Sequence, residues 1–368
     1  MKGNILIDPD FWRGKKVFIT GHTGFKGTWL SLWLHAMGAH VTGYSLKPST
    51  DPSLYGLCRM DELVTSYIGD IRDRSSLSKA LCETSPDIVF HMAAQALVRA
   101  SYVNPVETYE INSMGTVNLL EAVRQAVNSG IPVKAVVNVT TDKCYANLQS
   151  TRGYRETDRL GGVDPYSNSK ACAELMIEAY RNVFFSAGGS NKTAVASVRA
   201  GNVIGGGDWA QDRLIPDSIR ALLQGDPIKL RYPQAVRPWM HVLEPLYGYL
   251  LLAEKLTKQG DFYAKGWNFG SHEGSPITVE EVVGRLCRLW GDQASYQIEG
   301  GIHPYEVQHL QLDCSMAHKH LGWYPRWSLD TALAKTIDWV KAYRQQQDAR
   351  EVCLRQIFEY ATGRRAIW

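Results

Sequence analysis

The sequence predicts an α/β fold, a doubly wound parallel sheet with a smaller α/β unit toward the C-terminus. Over the first 140 residues, short runs rich in β-branched residues alternate with segments whose apolar residues recur at helical spacing. Such repeated strand–helix units are typical of a parallel sheet with helices on both faces. A glycine-rich turn follows the first run directly. Beyond residue 190 the alternation gives way to stretches rich in glycine and proline.

The predicted elements follow from this alternation, with glycine or proline separating one unit from the next. Strands are expected at Lys16–Thr20, His40–Tyr44, Val64–Gly69, Asp87–His91, Val133–Thr141 and Ala194–Arg199. Helices are expected at Gly27–Met37, Arg74–Thr84, Pro105–Val127, Tyr166–Phe185, Thr278–Trp290, Leu329–Tyr343 and Glu351–Ala361.

The composition argues against several classes of protein. Apolar residues make up 45% and charged residues 21% of the chain, as in an ordinary globular protein. The net charge of +3 does not point to a nucleic-acid partner. The longest apolar stretch, Leu246–Ala253, is far shorter than the roughly 20 residues that span a membrane. Seven cysteines without a Cys-x-x-Cys pair indicate free thiols and no metal site, and we expect a cytoplasmic protein.

The glycine-rich turn consists of Gly21, Gly24 and Gly27, between the first strand and the first helix. Glycine permits a tight turn and a close backbone approach to a pyrophosphate, while the N–H groups of the helix N-terminus attract its charge. An ordinary tight turn is the alternative interpretation. The position at the first strand–helix junction favours a dinucleotide-binding loop of the Rossmann type, with Thr23 and Phe25 beside the cofactor.

Other candidate cofactor contacts are less distinctive. An acidic residue about 20 positions after the loop would bind the ribose 2′-hydroxyl of NAD, but the second strand ends in Tyr44–Lys47. The residues therefore leave NAD and NADP open. Asp70 and Ile71, after the third strand, are candidates for contact with the adenine, and a helix cap is the alternative role for Asp70. Ala93 and Ala94 follow the fourth strand and permit a close approach to the cofactor.

Tyr166 and Lys170 are four residues apart and share one face of a predicted helix. A free tyrosine has a pKa of about 10. A nearby ammonium and a nicotinamide cation both favour the phenolate, which can take a proton from an alcohol while hydride leaves the carbon. The pair also occurs by accident on helix surfaces, so it carries weight only together with other motifs.

Thr141, Asp142 and Lys143 supply such a motif at the end of the buried strand Val133–Thr141. Open α/β folds bind their ligands at the carboxyl ends of strands. A strand-to-loop ion cluster, with Asp142 capping a turn, is the alternative interpretation. Because the glycine loop, this triplet and the Tyr–Lys pair occur in the order expected of one active site, we interpret them together as catalytic.

These residues identify a resemblance to the extended short-chain dehydrogenases/reductases that act on nucleotide sugars, and within them to the 4,6-dehydratases, most closely the CDP-glucose branch. The motifs that carry the resemblance are Gly21/Gly24/Gly27, His91–Ala94, Thr141–Lys143, Tyr166/Lys170, Arg199–Trp209 and Arg237–Val242. Asp142 distinguishes dehydratases from simple epimerases. Many dehydratases have Glu where this chain has Lys143, and this departure resembles the CDP-glucose branch.

The resemblance implies NAD as cofactor and a reaction in three steps. Tyr166 removes the 4-hydroxyl proton while hydride passes to NAD. The 4-ketone acidifies C5, so a base removes its proton and water leaves C6. The hydride then returns to C6 and gives a 4-keto-6-deoxy sugar, a precursor in deoxysugar synthesis for lipopolysaccharide O-antigen. Thr141 binds the 4-oxygen, and Lys170 holds the nicotinamide ribose and lowers the pKa of Tyr166.

Asp142 is implied as the acid that protonates the C6 hydroxyl, and Lys143 occupies the place of the C5 base. Burial shifts the pKa of each toward neutrality, but their mutual attraction favours the charged pair. Whether Lys143 removes the proton or stabilises the enolate as a cation stays open. Asn202, Arg213 and Arg237 are the expected substrate contacts, and the guanidinium of Arg237 suits a diphosphate.

The expected organisation is an NAD-binding Rossmann domain at residues 1–198, with a return near 237–268, and a nucleotide-sugar-binding domain at 199–368. In the family, long helices pair between subunits, so a homodimer or a dimer of dimers is implied. Alternative functions are a nucleotide-sugar 4-epimerase, a 4,6-dehydratase for a dTDP- or GDP-hexose, and a non-catalytic dinucleotide-sensing protein. Residue chemistry does not choose among the nucleotide bases.

Overall fold

The computed structural model describes residues 7–146, 152–185, 193–271, 277–291, 293–300 and 310–364. Its strands are β1 (Lys16–Thr20), β2 (His40–Ser45), β3 (Thr65–Ile68), β4 (Ile88–His91), β5 (Ala135–Val139), β6 (Ala194–Ala200), β7 (Asn202–Ile204), β8 (Ile228–Leu230), β9 (Trp239–His241), β10 (Gly266–Phe269) and β11 (Tyr296–Ile298). Its helices are α1 (Pro9–Trp12), α2 (Phe25–Ala36), α3 (Leu54–Leu57), α4 (Arg74–Thr84), α5 (Val98–Val103), α6 (Pro105–Tyr109), α7 (Gly115–Asn128), α8 (Pro165–Phe184), α9 (Leu214–Gln224), α10 (Leu243–Gln259), α11 (Val279–Trp290), α12 (Ser315–Leu321), α13 (Leu329–Arg344) and α14 (Ala349–Thr362).

In the described residues, seven strands form one parallel sheet in the order β10-β6-β5-β4-β1-β2-β3. The strand order reverses beside β1, so the predicted doubly wound Rossmann-type sheet is confirmed. The six strands expected from the sequence are all present. No strand was expected at β10, because it opens a stretch rich in glycine and proline beyond the regular alternation. Two short parallel pairs, β7 with β9 and β8 with β11, lie outside the main sheet.

The strands are apolar on both faces because a layer of helices covers each face of the sheet. On one face Ile19 and Phe90 belong to a core with Trp29 of α2 and Leu246 of α10. On the other face the packed side chains are Phe18, Val89, Val136 and Val195 from the strands and Leu77, Leu81, Leu119 and Leu120 from α4 and α7. Along the described ranges, no helix combines the length and apolarity needed to cross a membrane.

The sheet register brings three strand ends to one edge. Thr20 of β1 is paired with His91 of β4, and His91 with Asn138 of β5. The glycine loop follows β1, Ala93 and Ala94 follow β4, and the triplet beginning at Thr141 follows β5. The motifs that are far apart in the chain therefore meet at the carboxyl edge of the sheet.

The helix predicted over Pro105–Val127 contains an interruption. A π-helical turn at Glu110–Met114 joins α6 to α7. In this turn Asn112 donates from Nδ2 to Oγ of Ser169 (2.9 Å), and Ser113 donates from Oγ to the carbonyl oxygen of Ser169 (3.0 Å). The extra residue of the π turn thus lets two polar side chains bond to α8, which periodicity alone does not reveal.

The buried carboxylate of Glu174 fixes helix α8 against the sheet. It accepts hydrogen bonds from Thr140 Oγ1, from Ser197 Oγ (2.6 Å) and from the guanidinium of Arg199 (2.7 Å). Burial acts to raise the pKa of Glu174, but Arg199 and the hydroxyl donors keep it below its ordinary value. Because Tyr166 lies two turns earlier on α8 and Thr140 precedes the Thr141–Lys143 triplet, this carboxylate aligns the two motifs.

Removing this carboxylate will leave the Arg199 guanidinium buried without its counter-charge. We expect Glu174→Ala to lower the free energy of unfolding by about 3–5 kcal/mol, measured by urea denaturation. The matched control Glu178→Ala, at an exposed position one turn later on the same helix, should change it by less than about 0.5 kcal/mol. Equal effects of the two substitutions would contradict the assigned role of Glu174.

Candidate active site

The glycine loop folds tightly around the strand ends. Gly21 has φ +78°, and a Cβ at this position would lie 2.7 Å from the backbone nitrogen of Ala93. A Cβ on Gly27 would overlap the carbonyl oxygen of Gly21. Only glycine fits these two positions without displacing backbone. The loop is therefore a cradle of bare backbone, as a bound pyrophosphate requires.

The first turn of α2 opens toward this cradle. Gly24 is the N-cap residue and brings no side chain to bond the first amides of the helix. Thr23 donates from its hydroxyl to the carbonyl oxygen of Leu46 (2.8 Å), beyond the end of β2. The ring of Phe25 lies against Gly205, since a Cβ on Gly205 would be 3.2 Å from it. The amides of this turn are thus available to an anion.

Asp70 does not cap the following helix, so the alternative considered for it was wrong. The N-cap of α4 is Asp73, which accepts from the backbone of Ser76. Asp70 instead accepts from the backbone nitrogen (2.8 Å) and the guanidinium (2.6 Å) of Arg72. The hydrogen bonds from Arg72 lower the pKa of the Asp70 carboxyl. Burial raises this pKa, but its effect is smaller. The neighbouring Ile71 is buried against Gly115 of α7.

Ala93 and Ala94 are half-buried beside the glycine loop, where small side chains leave room. The backbone nitrogen of Ala93 donates to the hydroxyl of Thr20 (3.2 Å). The same hydroxyl bonds to Nδ1 of His91 (2.7 Å), while Nε2 of His91 bonds to Thr116 (3.2 Å). Burial lowers the pKa of His91 to about 3. Both ring nitrogens are engaged, so His91 supports the strand end and is not a catalytic candidate.

Tyr166, Thr141 and Asp142 lie together at the sheet edge. The hydroxyl of Thr141 donates to Oδ1 of Asp142 (3.1 Å), and Thr141 also acts to lower the pKa of the Tyr166 phenol. All three side chains are buried. Thr141, not Asp142, caps the short turn at Asp142–Cys144, since its hydroxyl accepts from the backbone of Lys143. The role of turn cap, which the alternative interpretation gave to Asp142, was therefore wrong.

The carboxyl group of Asp142 is only 1% exposed. Its Oδ2 atom is buried and has no hydrogen-bond partner among the described residues. Burial raises the pKa of Asp142, while the charge of Lys143 and the hydrogen bond from Thr141 act in the opposite direction. A buried carboxyl with one unsatisfied oxygen is suited to holding a proton and giving it to a ligand.

The phenol of Tyr166 is also kept neutral by its surroundings. Burial raises its pKa to about 12, against the hydrogen bond with Thr141 and the charge of Arg213. The resemblance implied that Lys170 lowers this pKa. In the structure the ammonium of Lys170 donates to the carbonyl oxygen of Val139 (3.3 Å), and burial lowers its own pKa to about 8. The largest influences that lower the pKa of Tyr166 come from Thr141 and Arg213.

Lys143 differs from Asp142 in exposure. Its side chain is half-buried, and its ammonium makes no hydrogen bond to another described residue. Its charge acts on the neighbouring carboxyl of Asp142. The side chain is therefore able to approach a ligand bound above the sheet edge.

The three candidate substrate contacts surround the same edge. Asn202 begins β7 and is paired with Trp239 of β9. Arg213 lies before α9, bonds to Asp208 (3.5 Å), and its charge acts on Tyr166. Arg237 is buried, donates to the carbonyl oxygen of Val236 (2.9 Å), and its charge acts on Asp142. The charges of both arginines thus reach the catalytic candidates.

Sequence reasoning missed two side chains of this cluster. Lys26, in the glycine loop, donates to the hydroxyl of Tyr249 (3.5 Å) on α10, and its charge acts on Asp142. Tyr249 is fully buried, and its surroundings include Asp142 and Tyr166. The position of Lys26 between two glycines of the loop could have indicated a site residue. Tyr249 lies in an apolar helix, and its sequence context gave no such indication. Within the described ranges, His, Cys, Asp and Glu side chains form no group of three suited to a metal.

Comparison with known proteins agrees with the resemblance to nucleotide-sugar 4,6-dehydratases. The family model described as GDP-mannose 4,6 dehydratase matches residues 18–336. The chain is 52% identical over 360 residues to CDP-glucose 4,6-dehydratase of Salmonella typhimurium, covering 97% of this chain and 99% of that protein. That relative is matched over nearly its whole length, so the similarity includes both halves of the chain.

Solved structures show the same fold. MoeE5 in complex with UDP-glucose and NAD has a TM-score of 0.73 and 26% identity, covering 89% of this chain and 99% of that chain. DesIV, a dTDP-glucose 4,6-dehydratase from Streptomyces venezuelae, solved as a double mutant with NAD and DAU bound, has a TM-score of 0.75 and 24% identity, covering 91% and 99%. With the fold, the site and these matches together, the chain belongs to the GDP-mannose 4,6 dehydratase family and is an extended short-chain dehydrogenase/reductase.

Proposed function

We propose that this protein is an NAD-dependent CDP-glucose 4,6-dehydratase, a hydro-lyase that forms CDP-4-keto-6-deoxyglucose. The observation that carries the proposal is the buried Asp142, which accepts a hydrogen bond from Thr141 and lies near enough to Tyr166 for its charge to act on the phenol. Dehydration needs an acid at the leaving hydroxyl beside the oxidising tyrosine, and this arrangement supplies one. The 52% identity to the Salmonella typhimurium enzyme supports CDP-glucose as the substrate.

The cradle of the glycine loop fits a dinucleotide. A Cβ would fill it at Gly21 or Gly27, and the amides of the first turn of α2, with Thr23 and Phe25, would hold the pyrophosphate. Asp70 and Ile71 would lie beside the adenine, and Ala93 and Ala94 beside the cofactor at the sheet edge. NAD, when bound, accepts a hydride from the sugar and gives it back. The NAD complexes of MoeE5 and DesIV support NAD over NADP.

Tyr166 acts first, as the base that takes the 4-hydroxyl proton. Its pKa of about 12 in the structure shows that the pocket alone does not ionise it. A nicotinamide cation and the ammonium of Lys170 would each favour the phenolate. Thr141, which acts to lower the pKa of the phenol, would hold the 4-oxygen in place.

Asp142 and Lys143 act on the resulting ketone. Lys143 takes the C5 proton, and Asp142 gives its proton to the C6 oxygen as the C6–O bond breaks and water leaves. The half-buried Lys143 has the freedom to reach C5, and the buried Asp142 holds its proton because of its raised pKa. Lys143 then returns its proton to C5 when hydride enters C6.

The protons gained and lost by the catalytic side chains balance over one turnover. Each turnover leaves one extra proton on Tyr166 and one too few on Asp142. The Thr141 hydroxyl donates to Asp142 and lies near enough to Tyr166 to lower the pKa of its phenol. A proton passed through this hydroxyl would restore the starting state without an external acid or base.

The nucleotide sugar would lie between the sheet edge and the C-terminal part of the chain. Arg237 would bind the diphosphate, with Arg213 on its other side and Asn202 at the sugar. In this proposal residues 1–198 and the return near 237–268 bind NAD, and residues 199–368 bind the nucleotide sugar. The product would enter deoxysugar synthesis for lipopolysaccharide O-antigen.

We also propose a cytoplasmic homodimer or dimer of dimers, paired through α6, α7 and α8. Apolar side chains are exposed on these helices and on the π turn that joins α6 to α7, among them Val106, Met114, Leu175 and Val183. A face of this kind is typical of a protein–protein contact. No nucleic acid or membrane takes part in the proposed reaction.

The proposed activity predicts a product that is simple to detect. Incubation with CDP-glucose should yield a 4-keto-6-deoxy sugar, which absorbs in the ultraviolet after alkali is added. dTDP-glucose, GDP-mannose and UDP-glucose in parallel should be converted at least about 10-fold more slowly. Formation of CDP-galactose without the absorbing product would favour a 4-epimerase, and no turnover of any sugar would favour a sensing protein.

The acid role of Asp142 predicts a selective defect. Asp142→Asn keeps the shape of the side chain but removes the proton that it donates, so water loss should slow ~10²- to 10⁴-fold. Exchange of the C5 proton with deuterated solvent should persist, because oxidation at C4 still occurs. Asp226→Asn, at an exposed position, is the control. Loss of both reactions to the same extent would contradict the role.

Lys143→Met tests the C5 base. If Lys143 takes the proton, deuterium incorporation at C5 from solvent should fall by ~10²-fold or more, measured by mass spectrometry. Lys134→Met, at an exposed position before the same strand, should leave it unchanged. Unchanged exchange in Lys143→Met would exclude Lys143 as the base and leave it as a cation that stabilises the enolate.

A further inference from the structure

The end of β2 lies beside the glycine loop. The backbone nitrogen of Gly21 donates to the carbonyl oxygen of Tyr44 (2.9 Å). The backbone nitrogen of Gly69 donates to the carbonyl oxygen of Ser45 (2.9 Å), so the chain at Ser45 is fixed between the loop and the end of β3. In a Rossmann fold, an acidic residue in this region binds the adenosine 2′-hydroxyl of the dinucleotide. This chain has the half-buried Ser45 there instead.

Two hydrogen bonds determine the direction in which the Ser45 hydroxyl bonds. The hydroxyl of Thr23, in the glycine loop, donates to the carbonyl oxygen of Leu46 (2.8 Å). A carbonyl oxygen can only accept, and a hydroxyl has a single proton to donate. Ser45 must therefore be the donor in the hydrogen bond that joins the Ser45 and Thr23 hydroxyls (2.9 Å). Because this bond uses the proton of Ser45, its oxygen can offer a ligand only a lone pair.

The two candidate dinucleotides differ in the group that would meet this oxygen. NAD carries a 2′-hydroxyl, which can donate a hydrogen bond to Oγ of Ser45. NADP carries a 2′-phosphate, whose oxygens at pH 8 are ionised and only accept. A phosphate beside Ser45 would therefore face an acceptor, or would have to break the bond between Ser45 and Thr23. Lys47 is the opposing feature, because its exposed ammonium attracts phosphate.

We propose that Ser45 is a cofactor-binding residue that accepts the hydrogen bond of the adenosine 2′-hydroxyl of NAD, and that Thr23 makes this position selective against NADP by accepting the proton of Ser45. This inference rests on the proposed NAD-dependent function and adds a determinant of cofactor specificity to it. A neutral acceptor of fixed direction replaces the carboxylate that the second strand lacks, and Lys47 does not decide the choice of dinucleotide.

The first test needs no variant and no turnover. Binding to the full chain is measured at pH 8 by displacement of radiolabelled NAD, with NADP and 2′-deoxy-NAD as competitors. In 2′-deoxy-NAD a hydrogen atom replaces the adenosine 2′-hydroxyl, so one neutral hydrogen bond is lost and binding should weaken ~3- to 10-fold relative to NAD. NADP should bind at least ~10-fold more weakly than NAD, because its phosphate meets an acceptor.

Ser45→Ala removes the proposed acceptor. In this variant 2′-deoxy-NAD should bind within ~2-fold of NAD, because the 2′-hydroxyl has lost the partner that distinguishes the two ligands. Ser75→Ala, at an exposed position on α4, should keep the wild-type difference. If Ser45→Ala weakens both ligands by the same factor, Ser45 has a structural role only and the inference is overturned.

Thr23→Val tests the direction of the hydrogen bond. Valine has nearly the shape of threonine but accepts no hydrogen bond, so the Ser45 hydroxyl becomes free to donate to a phosphate oxygen. The ratio of the dissociation constants of NADP and NAD should fall ~5-fold or more. Thr65→Val, at the exposed start of β3, should leave this ratio unchanged. An unchanged ratio in Thr23→Val would overturn the selective role of Thr23.

The wild-type measurements separate this inference from the proposed function. Equal affinity for NAD and 2′-deoxy-NAD would overturn the role of Ser45 while leaving NAD as the cofactor. Tighter binding of NADP than of NAD would also overturn it and would assign the 2′-phosphate to Lys47. A wild-type protein that binds neither NAD nor NADP would overturn the proposed NAD-dependent function itself.

Discussion

The hydrogen bonds of the Glu174 carboxylate are the constraint on which the rest of the site depends. Glu174 joins Thr140 at the end of β5, Arg199 of β6 and its own helix α8 in one buried network. The cost of burying its charge is offset by Arg199 and by two hydroxyl donors. Because Tyr166 and Lys170 precede Glu174 on α8, the network sets the distance between the tyrosine and the Thr141–Lys143 triplet.

Positive side chains outnumber negative ones around Asp142 and Tyr166. The charges of Lys26, Lys143 and Arg237 act on the buried carboxyl of Asp142, and the charge of Arg213 acts on Tyr166. The excess positive charge suits ligands that carry diphosphate groups, as NAD and a nucleotide sugar both do. Burial meanwhile raises the pKa of Asp142, so the acid can keep its proton until a substrate hydroxyl arrives.

Patterns in the sequence predicted the part of the fold that depends on local spacing. The six strands and the glycine loop were visible because apolar periodicity and glycine spacing are local, and the sheet edge then follows from parallel topology. Chemistry created by tertiary contacts was not visible. In the sequence Glu174 looks like an ordinary helix glutamate, because only the folded chain places Arg199 next to it. Tyr249 lies in an apolar helix, where no local pattern indicates an active-site residue. The π turn at Glu110–Met114 follows from contacts with α8 rather than from local propensity.

In the proposed reaction one sugar is oxidised at C4 and reduced at C6 within one site. CDP-glucose carrying deuterium at C4, with the product analysed by nuclear magnetic resonance, tests this reaction. We expect the deuterium in the C6 methyl group of the same molecule. Deuterium retained at C4, or lost to the solvent, would contradict it.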